Sequence, residues 1–393
     1  MSVRNCKLEL FYKDKELDIS DMVVDFSYVD RTRSDLGDEL SVTFQDVAGL
    51  WRGGWIPDFG AKFNAVIKCE NWFNPGDSYE RDCGGFEIDS LSSNGLPSTF
   101  SINCVSVGIT SSIRRQQNTK DWEEINIKDL FQEIAEEHGF ELLWYSEFNP
   151  ILERWEQRGQ SDIVLIREIC DYAGLMIKIT GDKIIIFRSE EFDEVEPEIV
   201  INAMDNGVVA WDINSNSSNV YSACEVTYYD PEKKEMIEYL YFPEGLSGVR
   251  RSGGDGRSNT GSEEVGTRQV IDPETRMVSY VEIPVAPAEE EEEEEPEVFD
   301  PEVGQILKIN QRVGSLADAE MLAKSMLRKA NMRQLEGSIS FMGRPDLYSG
   351  LNINLKGFGR FVDSVVWQIE EVVHSISSAG YSTDISIRGV VGY

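Results

Sequence analysis

The residues LEGSISFMGRPDLYSGLNINLKGFGRFVDSVVWQIEEVVHSISSAGYSTDISIRGVV, 335 to 391, decide how the rest of the chain is read. Apolar residues fall at every second position in short runs: Ile339 and Phe341; Leu351, Ile353 and Leu355; Val366, Val372 and Ile376; Ile385 and Ile387. A period of two puts them on one face of half-buried strands. Between the runs stand Gly-Arg-Pro-Asp at 343–346, Gly-Phe-Gly at 357–359 and Ser-Ala-Gly at 378–380, residues that favour tight turns. Connections this short leave no room for a crossover helix, so the strands must form an antiparallel meander.

Working outward, the order Gly343-Arg-Pro-Asp-Leu-Tyr-Ser-Gly350, then Gly-Phe-Gly-Arg-Phe, then a Val-x-His strand ending at His374, then Gly380-Tyr381-x-Thr383, resembles the C-terminal signature of the late control protein D family. These are the baseplate hub proteins of contractile phage tails and related, tailocin-like injection systems. The alternative reading of the same stretch is any antiparallel β-domain with glycine turns.

The bulk numbers bound the answer. A chain of 393 residues, 41% hydrophobic and 10% aromatic, has material for two or three cored domains. With 71 acidic against 37 basic residues the formal charge is −34, a field that repels phosphate backbones and anionic lipid. Specific nucleic-acid binding through a basic face is therefore excluded. A wall past which a polyanion slides is not. The six cysteines, Cys6, Cys69, Cys83, Cys104, Cys170 and Cys224, form no Cys-x-x-Cys pair and sit mostly in apolar alternation. They read as small buried hydrophobes made in a reducing cytoplasm, with neither a disulfide framework nor a metal cage. No signal core opens the chain, and no run approaches membrane-spanning length, so no membrane insertion is expected.

In chain order, strands are predicted at 6–12, 22–30, 39–47, 62–70, 85–93 and 99–107, the spacing of a small barrel or sandwich. Asn126 then caps a predicted helix whose apolar face is Ile127, Leu130, Phe131, Ile134 and Ala135, ending at Gly139. A second helix over 162–173 ends at Gly174. At an offset of thirty-five residues, 130–145 and 165–180 share Leu, Glu, Ile and Gly, so two helix-strand units are expected, the second closing through a Gly181-Asp182 hairpin. The stretch 208–230 echoes 22–46 as a second hairpin with a polar tip. Residues 250–302 change character: Gly, Ser, Arg and Asp, a strand near 277–283, then an unbroken Glu run at 289–295, which reads as a flexible acidic arm. A last helix starts at Ser315 and carries Ala319, Leu322, Ala323, Met326 and Ala330 on one face.

Chemistry is sparse. Of the two histidines, His138 sits in the last turn of a helix, where its charge suits the dipole, and His374 lies mid-strand; both read as structural. Acidic residues are so abundant that a glycosidase-like pair carries no information. No Gly-x-Ser-x-Gly elbow occurs, the glycines near 253–261 lack a phosphate-loop ending, and Gly357-Phe-Gly359 sits on a meander with no following helix. No catalytic residue, metal or cofactor is expected.

The resemblance extends beyond the C-terminus, through Trp122 before the first helix, His138-Gly139 at its end and Gln160-Ser161-Asp162 before the second. It implies a mainly β chain with an α/β insert: a tube-like β-barrel over 1–117, an α/β middle domain over 118–203, and a second barrel from 204–249 and 304–393. The acidic insertion, 250–303, has no counterpart in the family pattern. The resemblance further implies a homotrimeric, pseudo-hexameric ring between the tail tube above and the spike below, in a virion or particle baseplate. Wedge or tape-measure proteins are further expected neighbours. Such a ring would enclose a channel. The paired hairpins at 22–46 and 208–230 are expected to line it through Asp25, Asp30, Asp38, Asp212 and Asn214. Trp122, Gly139, Ser161, Gly343, Gly350, His374, Gly380, Tyr381 and Thr383 are the motif residues expected to serve the fold. The rival class is a cell-wall hydrolase or carbohydrate-binding baseplate protein.

Overall fold

The computed structural model describes residues 3–13, 15–17, 19–32, 37–106, 112–180, 183–189, 193–205, 207–216, 220–230, 235–243, 266–271, 278–283, 305–311, 313 and 316–390. Strands β1 (Asn5–Tyr12), β2 (Lys15–Leu17), β3 (Val23–Arg31), β4 (Glu39–Gln45), β5 (Lys62–Glu70), β6 (Ser78–Asn94) and β7 (Thr99–Val105) account for every stretch in which alternation predicted one. Strand β6 turns a corner: residues 78–87 pair with β5, and 87–94 pair with β7. Register shifts at Asn64/Val66 and Ile88/Ser90 help it bend. The sheet therefore curls over its own apolar face, and Leu10, Phe26, Phe44, Phe63, Ile67 and Ile102 fill the inside. Each such side chain contributes about 1.5–3 kcal/mol by leaving water.

The middle layer follows: α1 (Ser112–Arg115), β8 (Gln117–Asn126), α2 (Ile127–His138), β9 (Glu141–Tyr145), β10 (Ile151–Ser161), α3 (Asp162–Ala173), β11 (Leu175–Thr180) and β12 (Lys183–Arg188). Helix α2 buries the five predicted apolar residues and stops at Gly139, whose φ of 77° lets the Phe140 amide return to the Ala135 carbonyl at 2.8 Å. The two helix-strand units are present, but their strands are not equivalent. Strand β12 lies between β9, parallel to it, and β11, antiparallel to it. The predicted turn at Gly181-Asp182 lies outside the described residues. The antiparallel pair β8–β10, with Trp122 opposite Trp155, was not expected. Its residues are too polar for alternation to stand out, because half of a two-stranded ribbon faces solvent.

Next come β13 (Ile199–Asn202), β14 (Val208–Ser215), β15 (Ala223–Asp230) and β16 (Glu235–Tyr241). The expected hairpin over 208–230 does not form: β14 pairs with the distant strand at 335–341, and β15 pairs instead with β16. Residues 253–303 form a compact unit of their own, in which β17 (Gly266–Ile271) pairs antiparallel with β18 (Val278–Ile283). The Glu run at 289–295, the flexibility expected of 250–303 and the Ser315 cap lie outside the described residues.

Strand β19 (Ile306–Asn310) pairs parallel with β15, and α4 (Leu316–Asn331) follows. Ala319, Leu322, Ala323 and Leu327 of α4, with Cys224 and Val226 of β15, bury into the middle core with Leu165, Ile166 and Ile169 of α3. This three-stranded sheet and its helix thus belong by packing to the middle layer rather than to the second barrel.

The final segment is the expected meander: β20 (Leu335–Met342), β21 (Asn352–Lys356), the short α5 (Arg360–Asp363), β22 (Val366–Ser377) and β23 (Gly380–Gly389). Its core comprises Ile339, Phe341, Trp367, Ile369, Val372 and Ile385. Strand β22 pairs with β23 on one side and, on the other, with β3 from the N-terminal barrel, so that His374 stands opposite Tyr28 and Ile376 opposite Phe26. One hydrogen-bonded path therefore runs β14-β20-β23-β22-β3-β4-β7-β6-β5-β1-β2.

Candidate functional site

Where the two curled halves share this sheet, the face opposite their cores has a uniform chemistry. One row of register partners reads Ser90, Asn103, Ser41, Ser27, Ser375, Ser382; the next reads Ser92, Ser101, Thr43, Asp25, Ser377. Toward the other edge, Ser386, Ser338 and Asp212 continue it, with Asp384, Ser340 and Ala210 beside them. Period-two alternation places all of these on one side, while the intervening residues of β3, β4, β7, β20, β22 and β23 point into a core. The hydroxyls bond laterally: Ser41 Oγ donates to Asn103 Oδ1 at 2.8 Å, Asn103 Nδ2 to Ser90 Oγ at 3.1 Å, and Thr43 and Ser101 meet at 2.9 Å. On the same face Arg31 is held by Glu39 at 3.0 Å and Glu371 at 2.7 Å. The result is a broad surface of short, neutral or acidic side chains.

Asp25, Asp212 and Asn214 lie exposed on this face. Asp30 and Asp38 do not; their assignment to a channel wall is corrected by their burial, at 6% and 3% exposed. Asp30 sits on the inward parity of β3. It accepts bonds from Lys178 of β11, from the Ser349 amide at 2.9 Å and from the Ser349 hydroxyl at 2.7 Å. Burial works to raise its carboxyl, but Lys178 and Ser349 outweigh it and hold the group below the usual carboxylate range. Asp38 is 3.8 Å from Lys178, and its carboxylate accepts the Arg31 amide at 3.1 Å. Burial pushes it up to about 6, with Lys178 opposing and Asp30 adding. These carboxylates fasten the first barrel, the middle layer and the 343–350 turn to one another.

The motif residues of the meander converge close by. His374 is fully buried; Tyr381 OH lies 2.8 Å from its Nδ1, Thr383 Oγ1 lies 3.3 Å from the same nitrogen, and the Tyr28 ring stacks at 5.9 Å. Burial, helped by the charge of Arg81, depresses it to about 4, so it is a neutral core residue. Gly343 is required by the approach of Tyr381: a Cβ there would lie 2.2 Å from that ring. Its carbonyl accepts the Trp72 indole at 2.6 Å, while Arg81 donates to the carbonyls of Pro345 and Leu347 at 2.7 and 2.9 Å. Trp72 and Arg81 belong to the first barrel, so the Gly-Arg-Pro-Asp turn is the clasp between the halves. Gly350 donates to the Ile369 carbonyl at 2.7 Å, and Gly380 turns the β22–β23 hairpin at φ 109°. Trp122, Gly139 and Ser161 lie apart in the middle layer, Ser161 preceding α3 without a side-chain capping bond.

In that layer His138 is held more closely than the dipole argument anticipated. Ser112 Oγ lies 2.5 Å from His138 Nδ1, and His138 Nε2 lies 2.6 Å from Asp162, which also accepts Asn118 at 2.9 Å and Gln157 at 2.6 Å. Burial raises the Asp162 carboxyl, but these bonds prevail and keep it below the usual range. The array ties the ends of α1, α2 and α3 together. Among the described residues no group of three or more His, Cys, Asp and Glu is placed to hold a metal. Nor is any helix long and apolar enough to cross a membrane.

A sheet curled in two halves that share one polar face, with an α/β layer packed on it, is an arrangement this chain shares with tail proteins of known structure. The chain superposes on a tail protein from Neisseria meningitidis with a TM-score of 0.62 at 11% identity, covering 98% of this chain and 96% of that one. The 43 kDa tail protein of prophage MuSo2 from Shewanella oneidensis gives 0.61 at 9% identity and 98% of each. An E. coli type VI secretion system component gives 0.51 at 10% identity, over 94% of this chain and 74% of that one. No family model matches the chain. In sequence it is similar to the probable baseplate hub protein of Escherichia phage 186, 20% identical over 391 residues, 97% of this chain and 92% of that protein. The resemblance to baseplate hub proteins is thereby borne out over nearly the whole length, and the mainly β architecture with it.

Proposed function

We propose that the chain is the structural hub of a contractile tail baseplate. Three copies form a pseudo-hexameric ring, joining the six-fold tail tube above to the three-fold spike below, with tape-measure or wedge proteins as further neighbours. The continuous hydroxyl-rich face carries this reading. Turned inward in a ring, it gives a lumen wall of short side chains and net negative charge, to which a polyanion or effector does not adhere. Asp25, Asp212 and Asn214 belong to that wall, together with Ser27, Ser41, Ser375 and Ser382, which sequence reasoning passed over. The similarity to a probable baseplate hub supports a structural tail role in the virion or particle.

The native mass of the purified chain, alone and with the spike protein, tests the ring. Three times the 44.5 kDa chain mass is expected in at least one condition; a monomer in both overturns it. Ring-forming variants with lysine at Ser27, Ser41 and Ser375 are then expected to assemble into particles that deliver cargo poorly.

One observation favours the rival hydrolase reading: Ser112, His138 and Asp162 stand in the order hydroxyl, imidazole, carboxylate. A fluorophosphonate probe decides between them. No labelling of Ser112 is expected of a purely structural array, and stoichiometric labelling lost in His138→Gln would establish a nucleophile.

A further inference from the structure

Cys6 of β1 and Cys69 of β5 are direct register partners in an antiparallel pair, and their sulfurs lie 3.8 Å apart. Opposed residues in such a pair have Cα atoms about 4.5–5.5 Å apart, inside the span that a disulfide bridges. Small side-chain rotations, with no strand movement, bring two such sulfurs to bonding distance. Access differs between the two: Cys69 is buried and Cys6 is partly exposed. We propose that Cys6 and Cys69 form a thiol pair that oxidises to a cross-strand disulfide, a modification site on the first barrel.

The other four thiols make the contrast. Cys83, Cys104, Cys170 and Cys224 are all buried, and burial pushes the thiol of Cys104 up to about 12 and that of Cys224 to about 11. Cys6 is shifted the other way, lowered by the bond from Cys69 against the effect of burial. It is therefore the attacking thiolate. With a low-molecular-weight disulfide as oxidant, the Cys6 thiolate attacks one sulfur and expels a thiolate, leaving a mixed disulfide. Cys69 then loses its proton and attacks the Cys6 sulfur, expelling the second thiolate. Two protein thiols are oxidised by two electrons, and the reagent is reduced to two thiols.

The bond would fasten the root of the 71–77 turn, which carries Trp72 and through it Gly343 of the clasp. A reducing cytoplasm keeps the pair open, and an oxidising exterior closes it. Closure thus stiffens the barrel after the protein leaves the cell that made it.

The test equilibrates the purified full chain in glutathione buffers from fully reduced to fully oxidised. Intact mass, thiol titration after denaturation and peptide mapping follow. Of the six thiols, two are expected to vanish together, with a loss of two hydrogens and a Cys6–Cys69 peptide. The thermal midpoint should rise by about 5 °C in the wild type and not in Cys6→Ser. In Cys69→Ala, a glutathione adduct should accumulate on Cys6. Six thiols at every ratio, a different linkage, or a stable adduct in the wild type would overturn the proposal. Because all readouts are made on the isolated chain, they are independent of whether it forms a ring.

Discussion

Asp25 and Asp30 lie five residues apart on one strand and lead opposite lives. Asp25 has odd parity with Ser27 and stands in solvent on the polar face; Asp30 has even parity with Phe26 and Tyr28 and is sealed against Lys178 and Ser349. The polar face tolerates substitution because its side chains lean on water. The junction does not, because the Asp30 carboxylate is satisfied by Lys178 and Ser349, which belong to other parts of the chain.

The sharpest break of that contrast is Asp30→Ala. It takes from Lys178 its nearest carboxylate, leaving Asp38 at 3.8 Å, and strands the Ser349 amide, and should cost about 3 kcal/mol in chemical denaturation. Asp25→Ala should stay within about 0.5 kcal/mol, and equal losses would abolish the distinction. Gly343→Ala forces a methyl against the Tyr381 ring and should cost about 2–3 kcal/mol, with the clasp loosened before either core. Limited proteolysis of the 343–350 turn would show where that loss falls.

Acid sharpens the comparison further. His374 binds its proton near pH 4 when folded and near 6.5 when unfolded. Its contribution is therefore complete above pH 6.5 and is lost as pH falls toward 4. Asp38 works in the opposite sense: its folded value is about 6 against 3.8, so between those values the folded state gains from protonation. Comparing wild type with His374→Gln cancels the Asp38 part. The loss of stability between pH 7 and 4 should be smaller in the variant by about 3 kcal/mol. Smallest of all, Ser27→Lys and Ser375→Lys should shift stability by less than about 0.5 kcal/mol each, so a functional defect in either would come from the polar face and not from folding.

The contrast also explains what a reader of the sequence sees. Periodicity is a local signal: alternation placed β1, β3 to β7 and the meander, helical spacing placed both α/β helices, and only the short β2 of the first seven strands escaped. Long-range partners leave no local mark. Nothing in residues 208–215 says that they pair with 335–341, and nothing in Asp30 says that Lys178 waits 148 positions away. The polar face was missed for a related reason. Serine on the outside of a strand looks like ordinary surface until the rows of eight strands are laid side by side. The motif residues were visible because the clasp concentrates its constraints in one short turn.

The pairing of β22 with β3 sets a condition on manufacture. The N-terminal barrel has an open strand edge until residues 366–377, more than three hundred positions further along the chain, arrive to cover it. A ribosome that stops early releases a chain with that edge bare, unable to finish its polar face. A chain cut short before that point is thereby marked by its own shape, the two halves of its sheet unjoined.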